Sequence, residues 1–151
     1  MAENEAPDNV VELRARALRL LARREHSRGE LERKLSPHAE SSEALDVLIS
    51  ELRTKNQLSE ARFAEERARR LSRKYGAARI RQDLKSKGVG EELVEHVSSE
   101  GDLERARAIL ERKYRQPAAT REERAKRMRF LQSRGFSSDI IFKLLSSRGV
   151  D

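Results

Sequence analysis

Aliphatic residues recur at helical spacing along almost the whole chain, and no stretch alternates as a strand would. Breakers and capping residues divide this pattern into nine predicted helices, near 10–25, 28–36, 43–55, 59–74, 77–87, 90–99, 102–115, 121–134 and 137–147. Pro37, Gly76, Gly88, Gly90, Gly101, Pro117 and Gly135 all fall between helices in this division, as residues that interrupt the helical ladder should. Ser27 stands three before Glu30, the spacing of a capping box. Ser59 precedes an acidic residue, and Thr120 is followed by Glu122 and Glu123, carboxylates in a first turn where the helix dipole favours them. Asp102 is expected to cap the seventh helix, and Ser137 with Asp139 to open the ninth.

One local pattern occurs three times. "RREHSRGELERKL" (23–35), "SRKYGAARIRQDL" (72–84) and "QSRGFSSDIIFKL" (132–144) each run from basic residues through a breaker to an aliphatic pair. Aligned as windows of 13 residues, the ninth place is Leu31, Ile80 and Ile140, and the last is Leu35, Leu84 and Leu144. The windows read as helix-turn-helix-like hinges. They are spaced unevenly, 49 residues from Leu31 to Ile80 and 60 from Ile80 to Ile140. This is a degenerate repeat or three uses of one hinge. Grouped in threes, the helices give units at 10–57, 58–100 and 101–151, behind an acidic tail at 1–9 that is expected to be disordered.

Advancing about 100° per residue separates the faces of each helix. In the first, Val10, Ala17, Leu18 and Leu21 share a side, opposite Arg16, Arg19 and Arg23. In the fourth, Ala64, Ala68, Leu71 and Tyr75 oppose Arg62, Arg69 and Arg73. In the eighth, Ala125, Met128 and Leu131 make one side, while Lys126 and Arg134 point away. Phe130 lies opposite the Met128–Leu131 side and is expected to pack on a neighbouring helix, and Tyr75 is expected in the core. Each of these helices pairs an aliphatic stripe with a basic ridge.

Composition agrees with thin helical layers. Of 151 residues, 36% are hydrophobic, 4% aromatic and 39% charged, too little apolar bulk for one large core. The absence of Cys removes disulfides and thiolate metal sites. No apolar run approaches the roughly 18 residues of a membrane span. The opening "MAENEAPDNV" lacks the apolar core of an export signal. A soluble cytoplasmic protein is expected. With no long heptad seam, so is a monomer.

The net charge of +7 is unevenly placed. Residues 62–87 carry ten basic and three acidic side chains, and 105–134 carry eleven and three. Such blocks point to a polyanion, with a solvated helical surface as the alternative. A merely solvated face mixes signs, as 43–55 does with Glu43, Asp46, Glu51, Arg53 and Lys55. No catalytic constellation, cofactor motif or metal-ligand spacing accompanies the charge: His26, His38 and His96 lie apart, and no phosphate-cradling glycine loop is present. An enzyme is not expected. Base-reading by the hinges is tolerable for 77–87, with Arg79, Arg81, Gln82 and Lys85, and poor for the mostly apolar 137–147.

The segments "ALRLLARREHSRGELERKL", "LSEARFAEERARRLSRKYGAARIRQDLKSKGV" and "RMRFLQSRGFSSDIIFKLL", in that order, closely resemble the RecX regulatory proteins of bacteria, from about Ala17 to Leu145. The resemblance implies an all-α, elongated, curved array of tandem three-helix units without catalytic activity. It implies binding to RecA, particularly to RecA filaments on single-stranded DNA. It also implies depression of strand exchange, ATP hydrolysis and the co-protease activity behind the SOS response. Some members of the family also bind DNA directly. A general single-stranded nucleic-acid-binding module acting without RecA is the alternative. Charge geometry, not the family motif, selects the expected contact residues: Arg23, Arg24 and Arg28 at the first hinge, Arg73, Lys74 and Arg79 at the second, with Arg81, Lys85 and Lys87. The ridges add Arg16, Arg19, Arg62, Arg69 and Lys126, and the third hinge adds Arg134.

Overall fold

Each of the nine predicted segments forms an α-helix, and no strand occurs among the described residues. The helices are α1 (Val10–Arg23), α2 (Arg28–Leu35), α3 (Ser42–Thr54), α4 (Glu60–Leu71), α5 (Ala77–Ser86), α6 (Glu91–Glu95), α7 (Asp102–Lys113), α8 (Arg121–Ser133) and α9 (Ser138–Ser146), with a 3₁₀ turn at Ser36–His38. The computed structural model describes residues 6–146. Residues 1–5 of the expected tail and position 147 of the last expected helix lie outside the described residues. The disorder expected over 1–9 does not extend to Asp8 and Asn9. Asp8 pairs with Arg16 at 2.7 Å, and Asn9 forms a full capping box with Glu12. Helix α6 is shorter than expected, because the amides of His96 and Val97 turn back to Leu93 and Val94 and close it in a tighter turn.

Contacts divide the chain into two compact units. One runs to Glu66 and takes in Lys87–Val89; the other is Arg67–Ser86 with Gly90 onward. The first is built on α1, α2 and α3. Leu13 and Ala17, Leu31 and Leu35, and Leu45, Leu48, Ile49 and Leu52 supply its core, closed by Leu58. The spacings of three and four put each set on one face of its helix. Val10, expected inside, is 58% exposed, and Leu13 takes the inner position. The Asn9 cap places Val10 at the first helical residue, in a first turn that lies beyond the core, while Leu13 begins the buried stripe one turn later.

The second unit contains a core of α7, α8 and α9: Ala106, Ile109, Leu110, Leu131, Phe136, Ile141, Leu144 and Leu145. Ala77, Ile80 and Leu84 of α5 and Val94 of α6 are also buried. In α8 the expected stripe is rotated. Leu131 is buried, Met128 is 38% exposed, and Arg127 is buried in its place at 6% exposure. Phe130 packs against this core as expected. Its ring meets Tyr114 edge-on, with centroids 6.1 Å apart.

The hinges obey a common rule, which keeps the window alignment at the first two and shifts it by one residue at the third. The amides of Leu31, Ile80 and Ile141 donate to the carbonyls of Ser27, Gly76 and Ser137 at 3.1, 3.1 and 3.0 Å. Four and eight residues beyond these acceptors stand Leu31 and Leu35, Ile80 and Leu84, and Ile141 and Leu145, all buried. Ile140 is only half-buried. The third hinge is one residue longer before its helix starts, so the inward position moves to Ile141. In this register the residue before each acceptor is a ring: His26, Tyr75 or Phe136. That is the place from which a staple packs onto the fourth helical residue. Three before each acceptor stands an arginine: Arg24, Arg73 or Arg134.

Capping differs among the three. The Ser27 hydroxyl accepts from the Glu30 amide at 3.1 Å and the Ser137 hydroxyl from the Ile140 amide at 3.3 Å. Gly76 has no such group and no room for one: a Cβ there would lie 2.6 Å from the Gly135 carbonyl and the Phe136 ring. The cap comes from Asp102, whose Oδ2 accepts from the Ala77 amide at 3.2 Å. Asp102 therefore does not cap α7 as expected. It is the first residue of that helix, behind Gly101 at φ +83°, and its carboxylate also pairs with Arg105. The Gly76 amide donates to the Arg134 carbonyl at 2.7 Å. The second and third hinges are thereby locked backbone to backbone.

Candidate polyanion-binding surface

At the first hinge most cations are already neutralised. Arg24 pairs with Glu30 at 2.7 Å, and Arg28 with Glu32 at 2.7 Å. Arg16 pairs with Asp8. Arg62 reaches Glu25 at 2.8 Å and the Asn56 carbonyl at 2.8 Å. Of the candidates around α1, Arg19 and Arg23 are exposed. His26 lies in this hinge at 1% exposure. Its Nε2 is 3.0 Å from the Lys34 ammonium and its Nδ1 is 3.0 Å from the Arg24 carbonyl. An ammonium only donates, so Nε2 accepts and Nδ1–H donates, which requires a neutral ring. Burial pushes the His26 pKa below its ordinary 6.5, and the Arg24 and Lys34 cations act in the same direction, against the Arg24 carbonyl.

The second and third hinges are organised differently. Tyr75, expected in the core, is half-buried. The Arg79 and Arg134 guanidiniums lie over its ring at 4.7 and 5.4 Å. Arg134 also lies 5.0 Å from the Phe130 ring. Lys113 covers Phe130 at 4.7 Å and Tyr114 at 5.9 Å, and Arg127 covers Tyr114 at 4.4 Å. Cations and aromatic rings therefore alternate in an unbroken ladder from Arg79 to Arg127. Each step contributes attraction of about 0.5–2 kcal/mol according to how dry it is. Backbone carbonyls hold the guanidiniums as well: Arg79 donates to Ser133 at 2.8 Å, Arg112 to Arg73 at 2.7 Å and Arg134 to Lys74 at 3.5 Å.

An open groove of about 570 Å³ runs beside the ladder, lined by Arg73, Lys74, Tyr75, Ile109, Arg112, Lys113, Phe130 and Arg134. Five of these eight are cations and none is a carboxylate. The fold thus gathers Arg73, Lys74, Arg79 and Arg134 from the expected set. It leaves Arg69, Lys85 and Lys126 exposed elsewhere and Lys87 half-buried. Arg81 turns inward, with Nε and Nη2 on the Val97 carbonyl at 3.1 and 2.6 Å. Arg112, Lys113 and Arg127 were not among the expected contacts. The basic excess over 105–134 is their only signal in the sequence, and for Arg127 the helical wheel of α8 puts Met128 on the inner side that Arg127 takes.

Three family models match in chain order: RecX, first three-helix domain, over residues 14–52, the second over 59–97 and the third over 100–145. A protein named Regulatory protein RecX from Ralstonia pickettii is 43% identical over 93% of this chain and 90% of its own length. Another of that name from Neisseria meningitidis is 42% identical over 85% of this chain and 86% of its own. The crystal structure of RecX from Lactobacillus salivarius has the same fold, with a TM-score of 0.81 and 20% identity over 94% of this chain and 97% of that one. No helix among the described residues is long and apolar enough to cross a membrane.

Proposed function

The chain belongs to the RecX family of regulatory proteins, and we propose that it acts on RecA. In this reading it binds RecA and RecA filaments on single-stranded DNA. It depresses their recombinase, ATPase and co-protease activities, and so modulates DNA repair and the SOS response. It acts by binding alone. The observation that carries the reading is the match of all three domains, in order, across residues 14–145.

The physical arrangement supports such a role. A regulator of a repeating filament gains from several modest contacts, because linked contacts raise the effective concentration of one another. Reusing one hinge supplies such contacts from few apolar residues. Arg73, Lys74, Arg79 and Arg134 of the second and third hinges are the foremost contact candidates, since those at the first hinge are largely spent on internal ion pairs.

The test is ATP hydrolysis by the host's RecA on single-stranded DNA as this protein is titrated in. Inhibition at amounts well below RecA is expected. Full activity at equimolar protein overturns the proposal. Inhibition only when the protein saturates the strand supports instead a general nucleic-acid-binding module that competes for DNA.

A further inference from the structure

We infer that His26, Lys34 and Arg24 form a proton-operated latch at the first hinge: the neutral ring fastens α2 to the end of α1, and a proton on the ring releases Lys34 and opens the turn. The ring is 1% exposed. Its Nε2 accepts from the Lys34 ammonium at 3.0 Å, and its Nδ1–H donates to the Arg24 carbonyl at 3.0 Å. An incoming proton needs the same Nε2 lone pair that Lys34 occupies, so the two compete for one site. From the end of α1 the ring faces Arg24, and from α2 it faces Glu30 and Lys34. α4 reaches this hinge through Arg62, on Glu25. Both nearby carboxylates are spent, Glu30 on Arg24 at 2.7 Å and Glu25 on Arg62 at 2.8 Å.

A charged ring cannot stay where the neutral one sits. It would hold a positive charge 3.0 Å from the Lys34 ammonium in a site nearly closed to water, and its new Nε2–H would be a buried donor with no acceptor. Lys34 is exposed and leaves readily. The ring must swing toward water to find an acceptor. Ser27, its neighbour, is 0% exposed. It holds the first turn of α2 through its hydroxyl on the Glu30 amide and its carbonyl on the Leu31 amide, both at 3.1 Å. Movement of the ring therefore pulls at the cap of α2. The corresponding rings at the other hinges are Tyr75 and Phe136, which take up no proton. A hinge used three times is thus proton-sensitive at its first use alone. The latch belongs to the chain by itself and stands apart from the action on RecA, which its test leaves out.

The experiment follows the full chain from about pH 7.5 to about pH 5, the range in which a histidine changes charge. Proton NMR of the ring is read together with hydrogen exchange of single amides, corrected for the intrinsic rate. The amide of Leu31 reports the latch, and that of Ile49 in α3 the rest of the first unit. The amide of Ile80, bonded in the same way to Gly76, reports the second unit. The His26 ring is expected to titrate below its ordinary 6.5. Between that value and the lower midpoint, opening at Leu31 is expected to rise about tenfold per pH unit, while Ile49 and Ile80 stay level. H26Q, which also identifies the ring resonance by its loss, is expected to abolish the rise. K34M keeps the ring and removes the cation, and is expected to move the midpoint up toward the ordinary value. A flat Leu31 overturns the latch, and so does an equal rise at Ile49, which means that the whole first unit unfolds. A rise that persists in H26Q belongs to another group, and a midpoint unmoved in K34M removes Lys34 from the device; either result sinks the proposal.

Discussion

Two buried polar residues carry more of this fold than their composition implies. Asp102 is 2% exposed and caps α5 from 25 residues away while holding Arg105. Replacing it with Ala removes a cap and strands a buried amide together with the Arg105 guanidinium. A loss of about 2 kcal/mol is expected, read as a lower urea midpoint of the second unit. Asn at the same place keeps an acceptor for Ala77 and is expected to cost about half as much. His26 makes the first hinge sensitive to acid. Its pKa is lowered in the fold, so the unfolded chain binds the proton more readily. The stability it contributes is present above about pH 6.5, its ordinary value, and is lost as the pH falls toward the lower folded value. A melting-temperature series is expected to fall on acidification through this window, and H26Q, which cannot charge, to flatten that part of the profile.

Among the elements, the hinge is the recurring unit, and its register decides what is buried. Ile141, at 1% exposure, is inside, while its neighbour Ile140 is half-buried. I141A is expected to cost about 2–4 kcal/mol and I140A about 1 kcal/mol or less, measured by chemical denaturation. Equal costs would restore the window alignment. Gly76 and Gly135 fasten the second hinge to the third. A Cβ on Gly135 would lie 2.4 Å from the Arg79 Cβ, at a φ of +92° that side chains rarely adopt. G135A is therefore expected to lower the melting temperature of the second unit and to loosen the ladder, with Arg79 and Arg134 losing their common ring at Tyr75.

Across the whole molecule, the outward cations matter through their sum. Arg69 and Arg73 are both exposed, at the end of α4 and just past it. R69E/R73E changes the net charge by four while leaving the buried stripes untouched. Helicity is expected to stay at the parent level and, under the proposed action on RecA, inhibition of its DNA-dependent ATPase to weaken severalfold, more so at low salt, where such charges act furthest. Inhibition unchanged at low salt would remove the fourth helix's ridge from the contact surface.

The helices, their approximate ends and the three hinges could be read from the chain, because caps, breakers and a 3.6-residue period act over a few residues at a time. So could the expectation of a basic surface, since excess charge over 62–87 and 105–134 needs no coordinates. The finer assignments needed the fold. Which of Ile140 and Ile141 points inward depends on where α9 starts against its neighbours. Asp102 finds its amide on a helix 25 residues earlier. Arg24 and Arg73 stand at the same hinge position, yet one meets a carboxylate at 2.7 Å and the other lines a groove without one. Pairing of charges is a matter of distances across the chain, and only tertiary packing sets those distances.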